Sequence, residues 1–206
     1  MKLSRINTGL LILIILVNGY IVCMPLLPAV HYWWQARGDT KEKLTKVLHP
    51  PAAKPDMPAS KPDETIPAGN RLVIPAMMLD VPFFEGASAR VLNKGPWLRP
   101  GSSQPDKESN TVIAAHRFTY TDPEGDFYHL DKLKPGDEIG LFKDGRKYLY
   151  IVESLNVVGP DDTAIEAPTA GAQLTLYTCT PLWRPKDRLV VVAKPHHSII
   201  TTPKGH

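Results

Sequence analysis

Three regimes of hydrophobic and polar patterning follow one another along the chain. From Gly9 to Val30 the run GLLILIILVNGYIVCMPLLPAV holds 22 residues without a charge. At 1.5 Å rise per residue a helix of that length crosses the ~30 Å hydrocarbon layer, so the pattern predicts a transmembrane anchor. The run exceeds the h-region of a signal peptide and no A-x-A site follows it, which favours retention over cleavage. Tyr32, Trp33 and Trp34 come next, where aromatic rings settle at headgroup level. Between His49 and Asn70 the chain reads HPPAAKPDMPASKPDETIPAGN, with six prolines. Such a stretch prefers extended polyproline geometry, and residues 31–70 are expected to act as a semi-rigid spacer holding a domain away from a bilayer.

Past residue 70 the pattern becomes that of short β-strands rich in Val, Ile, Leu, Tyr and Thr. They are predicted at Arg71–Pro75, Leu79–Phe84, Asn110–Ala115, Glu138–Lys143, Lys147–Val158, Gln173–Cys179 and Leu189–Ala193. Pro135-Gly136, Asp144-Gly145 and Gly159-Pro160 punctuate them, and Asp-Gly between two such runs signals a tight hairpin. No long stretch keeps helical periodicity, although Ala87–Asn93 has room for a turn or two. Seven or eight short strands in residues 71–206 predict a mainly β domain, closed as a barrel or stacked as a sandwich. The expected organisation is a short amino-terminal segment (1–8), an anchor (9–30), a linker (31–70) and one globular domain (71–206).

Composition narrows the function. Of 206 residues 43% are hydrophobic, and the net charge is +3. Residues 1–70 carry eight Lys/Arg against five Asp/Glu, leaving sixteen of each in residues 71–206. A balanced domain argues against a nucleic-acid groove, which needs clustered basic side chains. Only two cysteines are present, one in the apolar run and one far away, so no disulfide framework is expected. The seven histidines make no CxxC or HxxxH spacing with them, and no metal or cofactor site is expected. Glu85, Asp161 and Asp162 read as loop charges rather than an ion site. Cys23 lacks the small residue a lipobox places before its cysteine and reads as an apolar helix residue.

Cys179 is different. It ends QLTLYTC, and Pro181 follows two residues on, where a ladder cannot continue, so the thiol is expected at a strand end that a substrate can reach. A thiol nucleophile needs a partner that exchanges protons near neutral pH, and His116 ends another apolar strand, NTVIAA. His129, in FYHLDKL, is the competing histidine. Arg188 opens the last strand, RLVVVA, where a planar cation can hold a developing oxyanion; Arg184 is nearer in sequence but lies mid-loop.

These residues resemble one family. Thr175-Leu176-Tyr177-Thr178-Cys179 matches the TLxTC signature of sortases, the membrane-anchored cysteine transpeptidases. The likeness extends from RLVIPAMMLDVPFFEG through NTVIAAHR, FYHLDKLKPGDEI and PDDTAIEAP to RLVVVAKP, and HRFTY resembles the corresponding run of class E sortases. The resemblance implies a closed eight-stranded sortase barrel with short helices. It also implies Cys179 as nucleophile, His116 as proton-transfer partner, Arg188 as substrate and oxyanion ligand, and Thr178 as an oxyanion contributor through hydroxyl or backbone. The implied substrate is a surface protein with an LPxTG-like carboxy-terminal sorting signal. The implied acceptor is an amine of a peptidoglycan precursor or a pilin lysine. The family further implies a single-pass protein of the cell membrane with Lys2 and Arg5 cytoplasmic and the barrel outside, although Arg37, Lys41, Lys43 and Lys46 run against that charge bias. Two other readings stand beside it: a cysteine hydrolase using the same site, and a non-catalytic tethered β-barrel that binds wall polymers. A papain-type protease is disfavoured because its nucleophile begins a helix.

Overall fold

The computed structural model describes residues 2–23, 30, 32, 34, 39–50, 69–119 and 125–196. The chain divides into two units, residues 1–39 and 40–206. The first contains helix α1, Lys2–Cys23. The helix starts seven residues ahead of the apolar run and so takes in Lys2 and Arg5, while residues 24–29 of the expected span lie outside the described residues. Among the described residues no helix is long and apolar enough to cross a membrane.

The second unit is built on one mostly antiparallel sheet. Its strands are β1 (Arg71–Ile74), β2 (Leu79–Pro82), β3 (Phe84–Glu85), β4 (Trp97–Leu98), β5 (Asn110–Ala114), β6 (Glu138–Lys143), β7 (Arg146–Val158), β8 (Gln173–Thr180) and β9 (Asp187–Pro195). Their order is β2-β1-β6-β7-β9-β8-β5-β4-β3. The two edge strands, β2 and β3, are consecutive in the chain and separated only by Phe83, which is 2% exposed. The polypeptide thus steps from one edge of the sheet to the other, and the sheet curls into a nearly closed barrel. The expected count of eight strands is corrected to nine. The run Leu79–Phe84 is cut at Phe83 into parts of two different pairings, and Trp97–Leu98 is too short to show a period.

Alternation fills the interior. Leu72, Ile74, Ile113, Leu141, Leu174, Leu176 and Val191 are all fully buried in one apolar cluster. They occupy alternate positions on their strands, as a pleated sheet requires of the residues facing its core. The Asp144-Gly145 signal is realised as a two-residue hairpin pairing Lys143 with Arg146. Both turn residues have positive φ, 51° and 71°, the left-handed geometry that Asp and Gly tolerate.

Within the stretch read as spacer, Thr40–Leu48 forms a helix, α2, that docks on the outside of the barrel. Leu44 and Leu48 pack against Val73 of β1 and Phe142 of β6. Gly140 on β6 is the socket: a Cβ there would sit 2.2 Å from Leu48 Cδ2. Lys147 Nζ donates to the Leu48 carbonyl at 2.7 Å, satisfying one of the acceptors a helix leaves open at its end. The segment 51–68 lies outside the described residues, and its flanks, α2 and β1, belong to the same body.

Candidate active site

A filled barrel leaves no room for a substrate inside, so chemistry has to lie on the outer face or at the rim. Parity decides which side chains those are. Leu174 and Leu176 point into the core, so Tyr177 and Cys179 of β8 face outward. On β9, Leu189, Val191 and Ala193 belong to the core and Arg188 faces outward. On β5, Ile113 and the following Ala115 belong to the core, and the alternation carries His116 outward.

Register brings the three together. β8 lies between β5, its parallel neighbour, and β9, its antiparallel one. Cys179 is directly opposite Arg188. Ala114 is opposite Tyr177, and Ala115 N–H donates to the Tyr177 carbonyl at 3.3 Å; β5 ends there, and His116 is the next residue of the chain. Cys179 and Arg188 are therefore direct cross-strand neighbours, and His116 follows the strand that flanks β8 on its other side. All three residues are half-buried, and Cys179 is a free thiol. Its backbone belongs to an extended strand, not to a helix start.

Thr178 behaves otherwise. Its side chain is on the core parity, 2% exposed, and its hydroxyl donates to the Ala115 carbonyl at 2.8 Å. That hydroxyl is committed to holding β8 against the end of β5, which corrects the expectation of a hydroxyl aimed at an oxyanion; the backbone alternative is left. Arg188 donates to the Asp187 backbone carbonyl at 3.2 Å rather than pairing with its carboxylate. Arg184 is exposed in the loop between β8 and β9. His129 precedes the turn Leu130–Lys132 and meets Tyr128 edge-on, 4.9 Å between ring centroids. Glu85 is engaged by Asn70 and Lys143, and Asp162 accepts from Ala164 N–H at 3.1 Å.

The loop holding His116 is shaped by close backbone approach. The His116 carbonyl accepts from Phe127 N–H at 3.1 Å. Gly125 lies so near that a Cβ would meet the same oxygen at 2.6 Å. A cavity of about 250 Å³ opens beside His116, lined also by Lys94, Gly95, Thr119 and Asp126. Phe118 and Trp183 meet edge-on at 4.8 Å and join the loops that follow β5 and β8.

A polar network that sequence reading missed walls the other side. Asn110 Nδ2 donates to the carbonyls of Ile165 and Ala167 at 3.0 and 3.1 Å, folding the segment after β7 onto the outer face. Glu166 on that segment accepts from Arg99 Nε at 2.8 Å and from the Tyr177 hydroxyl. Arg99 also stacks on Trp97, 4.2 Å from the ring centroid. Burial, followed by the carboxylate it donates to, raises the ionisation of the Tyr177 phenol well above its ordinary range. Burial, the largest single influence, opposes the charge on Arg99, but the Glu166 hydrogen bond together with the charges of Tyr177 and Glu166 outweighs it and raises the guanidinium above its ordinary range. The available signal was the parity of Tyr177, two residues before Cys179 and therefore on the same face.

Comparison with known proteins bears on this arrangement. The chain is 32% identical over 139 residues to sortase SrtE1 of Streptomyces coelicolor, covering 60% of this chain and 39% of that protein. It is 31% identical over 124 residues to sortase D of Bacillus subtilis, covering 60% of each. The chain thus spans less than two thirds of the length of either relative. Among solved structures, sortase C-1 from Actinomyces oris superposes with a TM-score of 0.57 at 29% identity, over 62% of this chain and 72% of that one. Residues 72–196, which include His116, Cys179 and Arg188, match the Sortase domain family. The chain is a member of the sortase family.

Proposed function

We propose that the protein is a cysteine transpeptidase acting on a carboxy-terminal sorting motif resembling LPxTG. The observation that carries the reading is that Cys179 pairs directly with Arg188 on β9, while His116 follows the end of β5, the other neighbour of β8. Cys179 Sγ attacks the scissile carbonyl carbon as a thiolate, and the negative charge that develops on the carbonyl oxygen meets the Arg188 guanidinium, a planar donor fork that a point charge does not reproduce. The C–N bond breaks, His116 hands its proton to the departing amine, and an acyl thioester remains on Cys179. An acceptor amine, from a peptidoglycan precursor or a pilin lysine, then attacks the thioester. His116 takes the amine's proton as the new peptide bond forms, the C–S bond breaks and Cys179 leaves as the thiolate.

In this reading the charge-free run Gly9–Val30 anchors the chain in the cell membrane, with Lys2 and Arg5 cytoplasmic and the barrel outside. The HRFTY run and the similarity to the Streptomyces coelicolor protein favour a class E-like subclass.

The test incubates the full-length chain with sorting-motif peptides and candidate amines and reads thioester, ligated and hydrolysed products by mass. Ligated product is expected from the parent chain. Cys179→Ala is expected to abolish the thioester with the melting temperature nearly unchanged, since the side chain is a half-buried strand-end residue outside the core cluster. Hydrolysed product alone would reduce the activity to that of a thiol hydrolase, and full activity of Cys179→Ala would overturn the assignment.

A further inference from the structure

His116 and Cys179 are bracketed by hydrogen bonds between their chain neighbours. One residue before each, Thr178 Oγ1 donates to the Ala115 carbonyl at 2.8 Å. One residue after each, Arg117 Nη1 donates to Thr180 Oγ1 at 2.8 Å. Alternation places Thr180 on the opposite side of β8 from the thiol, and Arg117 reaches it there from the loop after β5. Arg117 is itself fixed from two further directions. It pairs with Asp131 at 3.0 Å and donates through Nε to the Tyr128 carbonyl at 3.4 Å, and its side chain is only 11% exposed. A guanidinium spends three of its donors here on one strand end and one turn, more than a surface ion pair would ask of it.

The first bracket joins Thr178 of β8 to Ala115 just past β5, where the bond from Ala115 N–H to the Tyr177 carbonyl already holds the register. The second joins the last residue of β8 to a loop residue beyond β5, where no ladder bond exists. Past Ala115 the backbone is free to leave the sheet, and His116 belongs to that departing segment. We propose that Arg117 and Thr180 form a positioning clamp that sets the approach of the His116 imidazole to the Cys179 thiol. This rests on the thiol–imidazole pair of the proposed function and adds two residues to it, neither touching the substrate.

Alkylation of Cys179 by iodoacetamide at pH 7, followed by peptide mass mapping so that Cys23 is scored separately, reads the pair without any sorting substrate. Thr180→Val removes only the hydroxyl and keeps the shape; Thr180→Ser keeps the hydroxyl; Arg117→Met removes the fork. In the folded full-length chain, Thr180→Val and Arg117→Met are expected to slow alkylation about tenfold, the scale of one lost hydrogen bond to a charged group, and Thr180→Ser to restore it. In a His116→Ala background the same substitutions are expected to have no further effect, because the clamp acts only through the imidazole. Parental alkylation of folded Thr180→Val, or an equal slowing with and without His116, overturns the proposal and leaves a rim brace. Should Arg117→Met fail to fold, the Thr180 pair carries the test alone. Parental alkylation of His116→Ala would remove the thiol–imidazole pair itself and the clamp with it, a result distinct from failure of the clamp alone.

Discussion

At the scale of single residues, the site depends on positions that carry no chemistry of their own. Cys179 stands out in the sequence through Pro181, which stops the strand at the thiol, and through the TLxTC run that ends on it, and His116 through the apolar run NTVIAA before it. Gly125 does not, since a glycine in a polar loop has many uses. Its reason is contact: a Cβ would lie 2.6 Å from the His116 carbonyl oxygen and 3.0 Å from the Arg117 carbonyl carbon. Those atoms are backbone, which cannot turn aside as a flexible side chain does. Gly125→Ala is therefore expected to displace the histidine. Overpacking of this kind costs about 1–3 kcal/mol of stability, and a displaced catalytic group is expected to cost about 10²-fold in turnover. Thermal unfolding and kcat measured with the same sorting peptide would check both; normal turnover would show that the loop yields without moving His116.

At the scale of elements, β8 was read almost to the residue, as Gln173–Cys179 against Gln173–Thr180, because its alternation is regular and Pro181 stops it. Helix α2 was missed. Its sequence TKEKLTKVL puts Leu44, Val47 and Leu48 at helical spacing, but nine residues beside a proline-rich stretch are too few for an isolated helix to hold together. What stabilises it is the barrel wall. Leu48 is completely buried in the space Gly140 leaves by lacking a side chain. Leu48→Ala is expected to lower the unfolding free energy by about 3 kcal/mol, seen as a lower denaturant midpoint, while the rate of Cys179 alkylation stays as in the parent. A midpoint unchanged by the substitution would mean that the helix adds nothing to the barrel.

At the scale of the whole molecule, barrel closure couples buried phenols to alkaline stability. Burial pushes Tyr150 from 10.0 up to about 12, and Tyr177 moves in the same direction. Below pH 10 both phenols are protonated in the folded and unfolded chains, and their contribution is fully present. Above it the unfolded chain loses protons that the folded one keeps, so the unfolded state binds fewer and stability falls with rising pH. The expected result is a loss of stability from about pH 10 towards pH 12, measured by denaturant unfolding across that window and reduced in Tyr150→Phe. An equal decline in the Tyr150→Phe chain would assign the alkaline loss to other groups.

The sequence alone determined the β-rich domain, most strand positions and the Asp144-Gly145 hairpin, and it supplied the cysteine, histidine and arginine on which the proposed function rests. Those follow from local physics: alternation, turn chemistry and the scarcity of side chains that serve as nucleophile or proton carrier. Tertiary structure decided that β2 and β3 are opposite edges of one sheet, that Thr178 spends its hydroxyl on Ala115, and that Arg117 reaches Thr180 across 63 positions of chain. It also decided that Glu166 joins Arg99 to Tyr177. Each of these is a pairing between distant segments, fixed by which strands lie side by side and in what register, and a one-dimensional pattern carries the period of a strand but not the identity of its neighbour.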